Sequence, residues 1–377
     1  MLALLMSAAL GVSAPLKDPP NAEVDSIFAS LAGRTSPGLA VLVRKNGQTV
    51  FQRGYGVRDL QALAKIGPET DFRLASFTKQ FTAMEIMLLV RDGKLRYDEP
   101  LTDVFPDFPA YGRNITIRHL LTHTSGLPDY EDLMTEIEKE KGPRWTATHQ
   151  IQDQEVLALL KQQTHGKFAP GTSWAYSNSG YVLLGLIAAK VSGTGFGQVL
   201  QDRIFGPLHM RDTLAYVAGK NTVPHRAYGH EKEGDRFIPA DQSSTSATLG
   251  DGGVYSNLTD LAKWDLALEN HTLLSENEMR PALTPVRLAD GSKPRWPAQP
   301  GEDNLDPNQP VSYGFGWFLN PYQGHARMWH SGTTTGFRTV IERFTTEGLT
   351  IVILCNRTDL DASKLALQTA DVFLAKQ

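Results

Sequence analysis

The chain has a single cysteine, Cys355, among its 377 residues. One thiol cannot form an internal disulfide or complete a cysteine-rich zinc site, and its position in the apolar run 350–356 predicts a small buried side chain. An excess of positive charge is also lacking, because 37 Lys and Arg stand against 41 Asp and Glu, for a net charge of -4. Nucleic acid, which needs a large positive field, is therefore not an expected partner.

Long apolar runs are missing after the N-terminus. No later stretch approaches the ~20 apolar residues that a bilayer span requires, so no membrane span is expected. Residues 1–16 carry no charge and end in small residues, as in the apolar part of a secretory signal cut after residues 12–14. No Lys or Arg precedes this run, and Pro15 would follow the cut. We predict a periplasmic or secreted protein in which residues 1–21 are a signal peptide or a flexible N-terminal tail.

Short β-branched runs at both ends of the chain predict strands. Residues 39–43 and 48–52 flank the pair Asn46-Gly47, which is typical of a hairpin turn. The same pattern returns near the C-terminus at residues 313–319, 326–330, 339–344 and 349–356, before a helical pattern over 362–375.

The middle of the chain has a different pattern, mostly helical from about residue 115 to 275. Residues 281–310 hold seven prolines, which is typical of a long surface loop or lid. Strands at both ends with helices between them predict an α/β (α+β) fold, in which an antiparallel sheet built from both termini is flanked by helices and an all-helical region is inserted. The expected division is one domain over 22–377, with its sheet part over 22–75 and 311–377 and its helical part over 76–310.

The first candidate for chemistry is Ser76-Phe-Thr-Lys79, at the start of a helix predicted over 76–92 and stopped by Gly93. A hydroxyl and an amine three residues apart lie on one face of a helix, as a nucleophile beside a base. Lysine acts as a base near neutral pH only where burial lowers its pKa. The pattern alone is weak, since it is expected on the order of once by chance in a chain of this length.

The second candidate is Tyr176-Ser-Asn178, on a loop before an apolar helix. A phenol whose pKa is lowered by a nearby ammonium can relay a proton from serine to the leaving group, and the Asn178 amide can hold a substrate carbonyl. The tripeptide recurs at Tyr255-Ser-Asn257, but there it runs into a helix that Ser256 or Asn257 would cap. We therefore assign the catalytic role to Tyr176.

The third candidate is His330-Ser331-Gly332, at the end of a predicted strand. Glycine would let a substrate backbone approach the strand edge, and the N–H of Thr333 can point at a developing oxyanion.

In order and spacing the three motifs resemble the serine β-lactamase and penicillin-binding protein superfamily, especially its class C β-lactamase, DD-peptidase and family VIII carboxylesterase branch. The resemblance implies an antiparallel sheet of five or more strands flanked by helices, with Ser76 in the cleft between the sheet and the helical region. It covers about residues 22–375, and further similar stretches are 71–76, 119–127 and 250–256.

Several features narrow this interpretation. The E-x-x-L-N pattern of class A β-lactamases is absent, as is the G-x-S-x-G of α/β-hydrolases. His330 stands where lysine is usual in the family. Because neutral imidazole dominates at pH 7, the fixed positive charge that would bind a β-lactam carboxylate is weakened.

Two other sets of candidate residues are less specific. His119 and His123 are four residues apart, but no acidic third ligand accompanies them and no metal site is predicted. The aromatic residues flanking the third motif either belong to the core or line a pocket: Trp317, Trp329 and Phe337.

The expected activity is acyl transfer to water with no cofactor. Ser76 would attack a carbonyl, Lys79 and Tyr176 would move its proton, and the N–H groups of Ser76 and Thr333 would stabilise the oxyanion. The expected partner is a small ester, amide or peptide, so a carboxylesterase, a D-amino-acid peptidase or amidase, a weak β-lactamase and a catalytically silent penicillin-binding or sensor domain stay open. The residues predicted for substrate binding and the oxyanion are Asn178, His330, Ser331, Gly332 and Thr333.

Overall fold

A computed structural model describes residues 21–31, 33–296 and 309–374. The predicted leader up to residue 20 and the central part of the predicted 281–310 loop lie outside the described residues. Export and a lid therefore stay predictions.

Helices predominate over strands in the middle of the chain, and the first and last elements are also helices. They are α1 Asn21–Phe28, α2 Lys79–Arg91, α3 Leu101–Val104, α4 Ile117–Leu121, α5 Tyr130–Lys141, α6 Asp153–Lys161, α7 Asn178–Ser192, α8 Phe196–Leu200, α9 Leu258–Glu269, α10 Glu276–Met279 and α11 Ala362–Phe373. Short 3-10 helices span Ala75–Thr78 and Ala110–Asn114, and a π-helix spans Gln201–Phe205.

The strands divide between one large sheet and several small ones. They are β1 Leu39–Lys45, β2 Gln48–Tyr55, β3 Val57–Asp59, β4 Ala64–Lys65, β5 Phe72–Arg73, β6 Leu214–Ala215, β7 His230–Glu233, β8 Arg236–Pro239, β9 Val254–Ser256, β10 Arg327–Thr334, β11 Phe337–Phe344 and β12 Leu349–Cys355.

The large sheet joins the two ends of the chain, as predicted. Its order is β10-β11-β12-β1-β2, and every neighbouring pair is antiparallel. The first hairpin turns at Asn46 and Gly47, both with positive φ, as the Asn-Gly pair predicts. Leu39 of β1 pairs with Cys355 of β12, so the N-terminal hairpin completes a sheet begun by the C-terminal strands.

Both faces of this sheet are covered, which explains why its central strands are apolar at nearly every position. Along β1, Ala40 and Leu42 face the core shared with the helical region. Leu39, Val41 and Val43 face a second core closed by the two terminal helices α1 and α11. Burial in that second core raises the pKa of the Cys355 thiol to about 12 and confirms that this residue is a small core side chain.

The helical part is built around α7, which packs against α2, α4, α6 and α8. Its residues are buried on all sides, as expected for a helix that is apolar around its whole circumference. Within the described residues no single helix is long and apolar enough to cross a bilayer. One bent pair, Asn178–Ser192 with Phe196–Phe205 at 76°, passes that test by length and composition.

Three predictions of local structure were wrong. The region 76–310 is not all-helical, because within it β6 pairs with β9, which also pairs with β5 from before the region, and β7 and β8 form a hairpin. The residues 313–319 form only isolated bridges, since Tyr313 pairs back on Phe318 within one tight turn. The helix predicted from Ser76 begins at Lys79, after a 3-10 turn, and ends before Gly93, whose φ is +68°.

Candidate active site

Ser76 lies on a strained turn between two small elements. The turn follows β5, and Ala75 has a φ of +50°, a left-handed conformation that costs a non-glycine residue energy and that recurs at functional sites. The turn is held by hydrogen bonds from outside it. Leu74 N–H donates to the carbonyl of Val254 at 2.9 Å, and Thr339 Oγ1 donates to the carbonyl of Leu74 at 2.8 Å. The nucleophile is therefore fixed against the small sheet on one side and β11 on the other.

Lys79 is the first residue of α2, and its whole side chain is buried. Nζ lies 2.9 Å from Ser76 Oγ, 2.9 Å from Asn178 Oδ1 and 3.0 Å from the carbonyl oxygen of Asp251. Three oxygens match the three N–H donors of an ammonium group. Asn178 and Asp251, which are 99 and 172 positions further along the chain, thus converge on the Lys79 amine. Two of the predicted motifs are brought together.

Tyr176 completes this group from the loop before α7. Its ring centroid lies 4.9 Å from Lys79 Nζ and 6.2 Å from the ring of His330. The loop is joined to α7 by the N-cap Ser177, whose Oγ accepts the N–H of Gly180. The ring of Tyr176 therefore lies beside the Lys79 amine, and the proton relay between them stays a prediction.

Asn178 opens α7 and is fixed at both its main chain and its side chain. Its N–H donates to Asp129 Oδ2 at 2.7 Å, while Asp129 Oδ1 accepts the N–H of Glu131 and caps α5. Burial raises the pKa of Asp129. Oδ1 of Asn178 accepts from Lys79 Nζ and so orients the lysine, while Nδ2, the group that can donate to a carbonyl, lies 3.5 Å from Glu131 Oε1. A contact of Asn178 with a substrate carbonyl stays a prediction.

His330 lies on β10 and is buried. A carbonyl can only accept, so Nδ1, 2.6 Å from the carbonyl oxygen of Ser331, carries the proton. Nε2 then accepts from the hydroxyl of Tyr313 at 3.1 Å. Burial and the nearby Lys79 lower the pKa of His330 to about 3, so the imidazole is neutral at pH 7. Both ring nitrogens contact protein groups, and a direct contact of this ring with substrate stays a prediction.

The outer edge of β10 supplies backbone donors to the cleft. Trp329 exchanges two hydrogen bonds with Phe318 across that edge, at 2.8 and 2.9 Å. Backbone groups alternate in direction along a strand, and the β10–β11 register is unbroken, so the N–H of Thr333 faces the same outer edge. Ser76 and Thr333 line the same cleft. The two residues predicted for the oxyanion therefore face one cleft, and the oxyanion site itself stays a prediction.

Gly332 is needed for a reason different from the predicted approach of substrate. A Cβ on this residue would lie 2.0 Å from the carbonyl oxygen of Leu74 and 2.5 Å from Thr339 Oγ1. Only glycine lets β10 approach the turn of Ser76 this closely.

The cleft in front of Ser76 has a volume of about 900 Å³, and its lining is mostly polar, with five acidic and two basic side chains. The cations Lys167 and Arg338 also line it; the ammonium of Lys167 forms an ion pair with Asp132 at 2.7 Å, and the guanidinium of Arg338 donates to two backbone carbonyls. Because carboxylates outnumber cations in this lining, we expect it to disfavour anionic ligands. The acidic residues of the lining are Asp129, Glu131, Asp132, Glu138 and Glu231.

The remaining candidates lie outside the catalytic group. Asn257 caps α9 by accepting the N–H of Asp260 at 2.9 Å, which confirms the structural interpretation of the second Tyr-Ser-Asn. Nδ1 of His119 accepts the N–H of Thr116, and the described ranges contain no cluster of three or more metal-ligating side chains. The aromatic residues that flank the third motif are all core residues: Trp317, Trp329 and Phe337.

Sequence reasoning missed Asp129, Asp251 and Tyr313, and it considered His123 only as a possible metal ligand. Asp129 and Asp251 hold Asn178 and Lys79, while His123 and Tyr313 pack against Tyr176 and His330. Asp129 had a local signal, since an aspartate before a helical pattern is a common N-cap. Asp251 had none, because it acts through its backbone carbonyl.

Comparisons with known proteins identify the family of the chain. The Beta-lactamase family model matches residues 24–375. A penicillin-binding protein of Bacillus subtilis (strain 168) is 29% identical over 96% of this chain and 78% of its own length.

Two solved structures share the fold. D-amino acid amidase from Ochrobactrum anthropi SV3 has a TM-score of 0.75 at 24% identity, over 93% of this chain and 96% of that one. EstCE1, described as a hydrolase with promiscuous acyltransferase activity, has a TM-score of 0.75 at 19% identity, over 94% and 98%. With the family match over nearly the whole chain, the protein belongs to the Beta-lactamase family, as a serine hydrolase related to the penicillin-binding proteins.

Proposed function

We propose that the protein hydrolyses ester or amide bonds through an acyl-enzyme on Ser76, as a carboxylesterase or as a D-amino-acid peptidase or amidase. The observation that carries the proposal is the position of Lys79 Nζ, 2.9 Å from both Ser76 Oγ and Asn178 Oδ1 and beside the ring of Tyr176. This group opens into a cleft large enough for a small substrate.

The proton path follows from the contacts of Lys79. Two of the three oxygens around Lys79 Nζ, those of Asn178 and Asp251, can only accept, which favours the ammonium form, and an ammonium cannot take up a proton. The base is then Tyr176 as a phenolate, stabilised by the adjacent positive charge.

The first half-reaction forms the acyl-enzyme. Ser76 Oγ bonds to the substrate carbonyl carbon, its proton passes to Tyr176, and the carbonyl oxygen becomes an oxyanion that the N–H groups of Ser76 and Thr333 stabilise. Collapse of this intermediate breaks the bond to the leaving alcohol or amine, which takes the proton from Tyr176. In the second half-reaction water attacks the acyl carbon, gives its proton to Tyr176, and Ser76 leaves with that proton.

The charge of the cleft favours neutral or cationic substrates. The third motif presents neutral His330 in place of a cation, and five acidic side chains of the lining stand against two basic ones. A β-lactam or a peptide with a free D-Ala carboxylate would bring a negative charge to this surface. Esters and amides that lack this carboxylate avoid the repulsion, which is why we rank them above β-lactams.

A second candidate function is a penicillin-binding protein that acylates and releases slowly. The observation in its favour is the 29% identity, over nearly the whole chain, to a penicillin-binding protein. A weak β-lactamase is a further alternative, since the same three motifs would open a β-lactam ring.

One experiment separates these functions. Purified protein and Ser76→Ala are given short-chain p-nitrophenyl esters, D- and L-aminoacyl p-nitroanilides and benzylpenicillin, with intact-mass and penicilloate assays on the last. We expect ester or D-aminoacyl turnover that falls by at least about 10³-fold in Ser76→Ala.

Each other outcome names an alternative. A lasting penicilloyl adduct without ester turnover would indicate the slow penicillin-binding protein, and accumulating penicilloate would indicate a β-lactamase. Equal turnover by Ser76→Ala would refute the mechanism altogether.

A further inference from the structure

His123 lies beneath Tyr176 in a conformation that a histidine rarely adopts. It follows α4, only 1% of its surface is exposed, and its φ is +59°. A left-handed non-glycine residue costs energy and persists only where its surroundings hold it. The groups that hold His123 in place are mainly Tyr176 and the residues on either side of it.

Hydrogen bonds tie His123 to both neighbours of Tyr176. The N–H of Ala175 donates to the carbonyl of His123 at 3.0 Å, and the N–H of Ser177 donates to His123 Nδ1 at 3.1 Å. One buried residue therefore fixes the main chain immediately before and after the phenol. Because Nδ1 accepts, the neutral ring carries its proton on Nε2.

The ring of His123 also fixes the side chain of Tyr176. The two ring centroids are 4.4 Å apart with an angle of 33° between the planes. Tyr313 and Tyr181 contact the same imidazole at 4.7 and 5.2 Å, so it cannot rotate away. His123 thus packs against the ring of Tyr176. Lys79 Nζ lies 4.9 Å from the centroid of the same ring.

The charged and titratable groups around His123 keep it neutral. Burial, Lys79 and His330 all lower the pKa of His123 well below its usual value. The other titratable groups in contact are the phenols of Tyr176, Tyr181 and Tyr313. His123 is therefore a fixed hydrogen-bond acceptor throughout the range in which the enzyme would work, and not a proton carrier.

We propose that His123 is a positioning residue, which holds Tyr176 at the distance and orientation from Lys79 that proton transfer requires. The inference rests on the proposed hydrolase function. A histidine that merely filled the core would leave the chemistry of Tyr176 unchanged when replaced, whereas a positioning residue acts through it.

The test compares variants of His123 in the wild type and in Tyr176→Phe. His123→Ala removes the ring and the acceptor. His123→Leu refills most of the volume without an acceptor, in case the alanine variant does not fold. His123→Asn is the conservative variant, because its Oδ1 replaces Nδ1 and asparagine tolerates a positive φ. The readouts are the pH profile of kcat/KM for a p-nitrophenyl ester and the midpoint of thermal unfolding.

We expect kcat/KM to fall about 10- to 100-fold in His123→Ala and His123→Leu, since displacement of a reacting group by about 1 Å has this effect. The rising limb of the profile should move to higher pH by at least about half a unit, because the base loses its adjacent ammonium. In His123→Asn the rising limb of the pH profile should lie within about 0.2 pH unit of its wild-type position. When His123→Ala is added to Tyr176→Phe, kcat/KM should fall by less than about a further threefold, because the two residues act together.

The inference is overturned if the folded variants keep the wild-type limb, if His123→Asn shifts it as far as alanine does, or if the losses multiply in Tyr176→Phe. Failure of the proposed function is recognised separately, since the wild type would then show no turnover that depends on Ser76.

Discussion

Replacing Gly332 with alanine tests how closely β10 must approach the nucleophile. The added Cβ would lie 2.0 Å from the carbonyl oxygen of Leu74, whereas ordinary contacts need about 3.5 Å. One of the two segments must therefore move by more than about 1 Å. Leu74 is two residues before Ser76, and Gly332 is adjacent to Thr333, so the movement separates the nucleophile from one oxyanion donor. We expect kcat/KM to fall about 100-fold.

The same overlap has a cost in stability. Overpacking of this kind destabilises a protein by about 1–3 kcal/mol, so the unfolding midpoint should fall by several degrees. The matched control is Gly67→Ala, because a Cβ there meets nothing within 4 Å and the residue has an ordinary φ. The assay is p-nitrophenyl ester hydrolysis beside thermal unfolding. Wild-type kcat/KM in a folded Gly332→Ala would refute the close approach and the oxyanion site built on it.

Three further predictions concern other parts of the site and core. Tyr176→Phe should reduce kcat/KM at least about 100-fold, whereas Tyr255→Phe, in the repeated tripeptide, should leave it within about threefold; equal losses would contradict the assignment. His330 has a pKa of about 3 when folded and its ordinary value when unfolded, so the unfolded state binds more protons between these values. As pH falls from 7 to 5, the wild type should therefore lose stability relative to His330→Asn, by at most about 1.4 kcal/mol per pH unit, in urea unfolding; a difference independent of pH would count against the buried neutral ring. Cys355 should not react with a thiol reagent until the protein unfolds, and rapid labelling of the native protein would contradict its burial.

Sequence patterns were sufficient where a structure depends on neighbouring residues. The Asn-Gly turn, the cap at Asn257 and the strands predicted at 39–43, 48–52, 339–344 and 349–356 are local features, and the structure has each of them. The three motifs could be found because each places two or three functional groups within four residues. Their convergence could be inferred only from the resemblance, since local patterns do not specify contacts across 99 residues.

The failures have a common cause in long-range contacts. Strands as short as β5 and β6 have no periodicity to read, and they exist because both pair with β9. The left-handed His123 has no sequence signal at all, and its conformation is set by Tyr176 and the loop around it. Local propensity cannot predict such positions, because tertiary contacts override it.

The third motif separates two contributions to the proposed activity, the backbone groups of its strand and the charge of its first side chain. Its side-chain cation is replaced by His330, whose two ring nitrogens bond to Ser331 and Tyr313 and leave it neutral. What the strand still provides is backbone: the close approach at Gly332 and the outward N–H of Thr333. Acyl transfer needs that edge together with a nucleophile and a proton relay, while the charge beside it acts on recognition of the substrate. We therefore expect a change from cation to imidazole to alter which carbonyl compounds bind well and to preserve the means to cleave them.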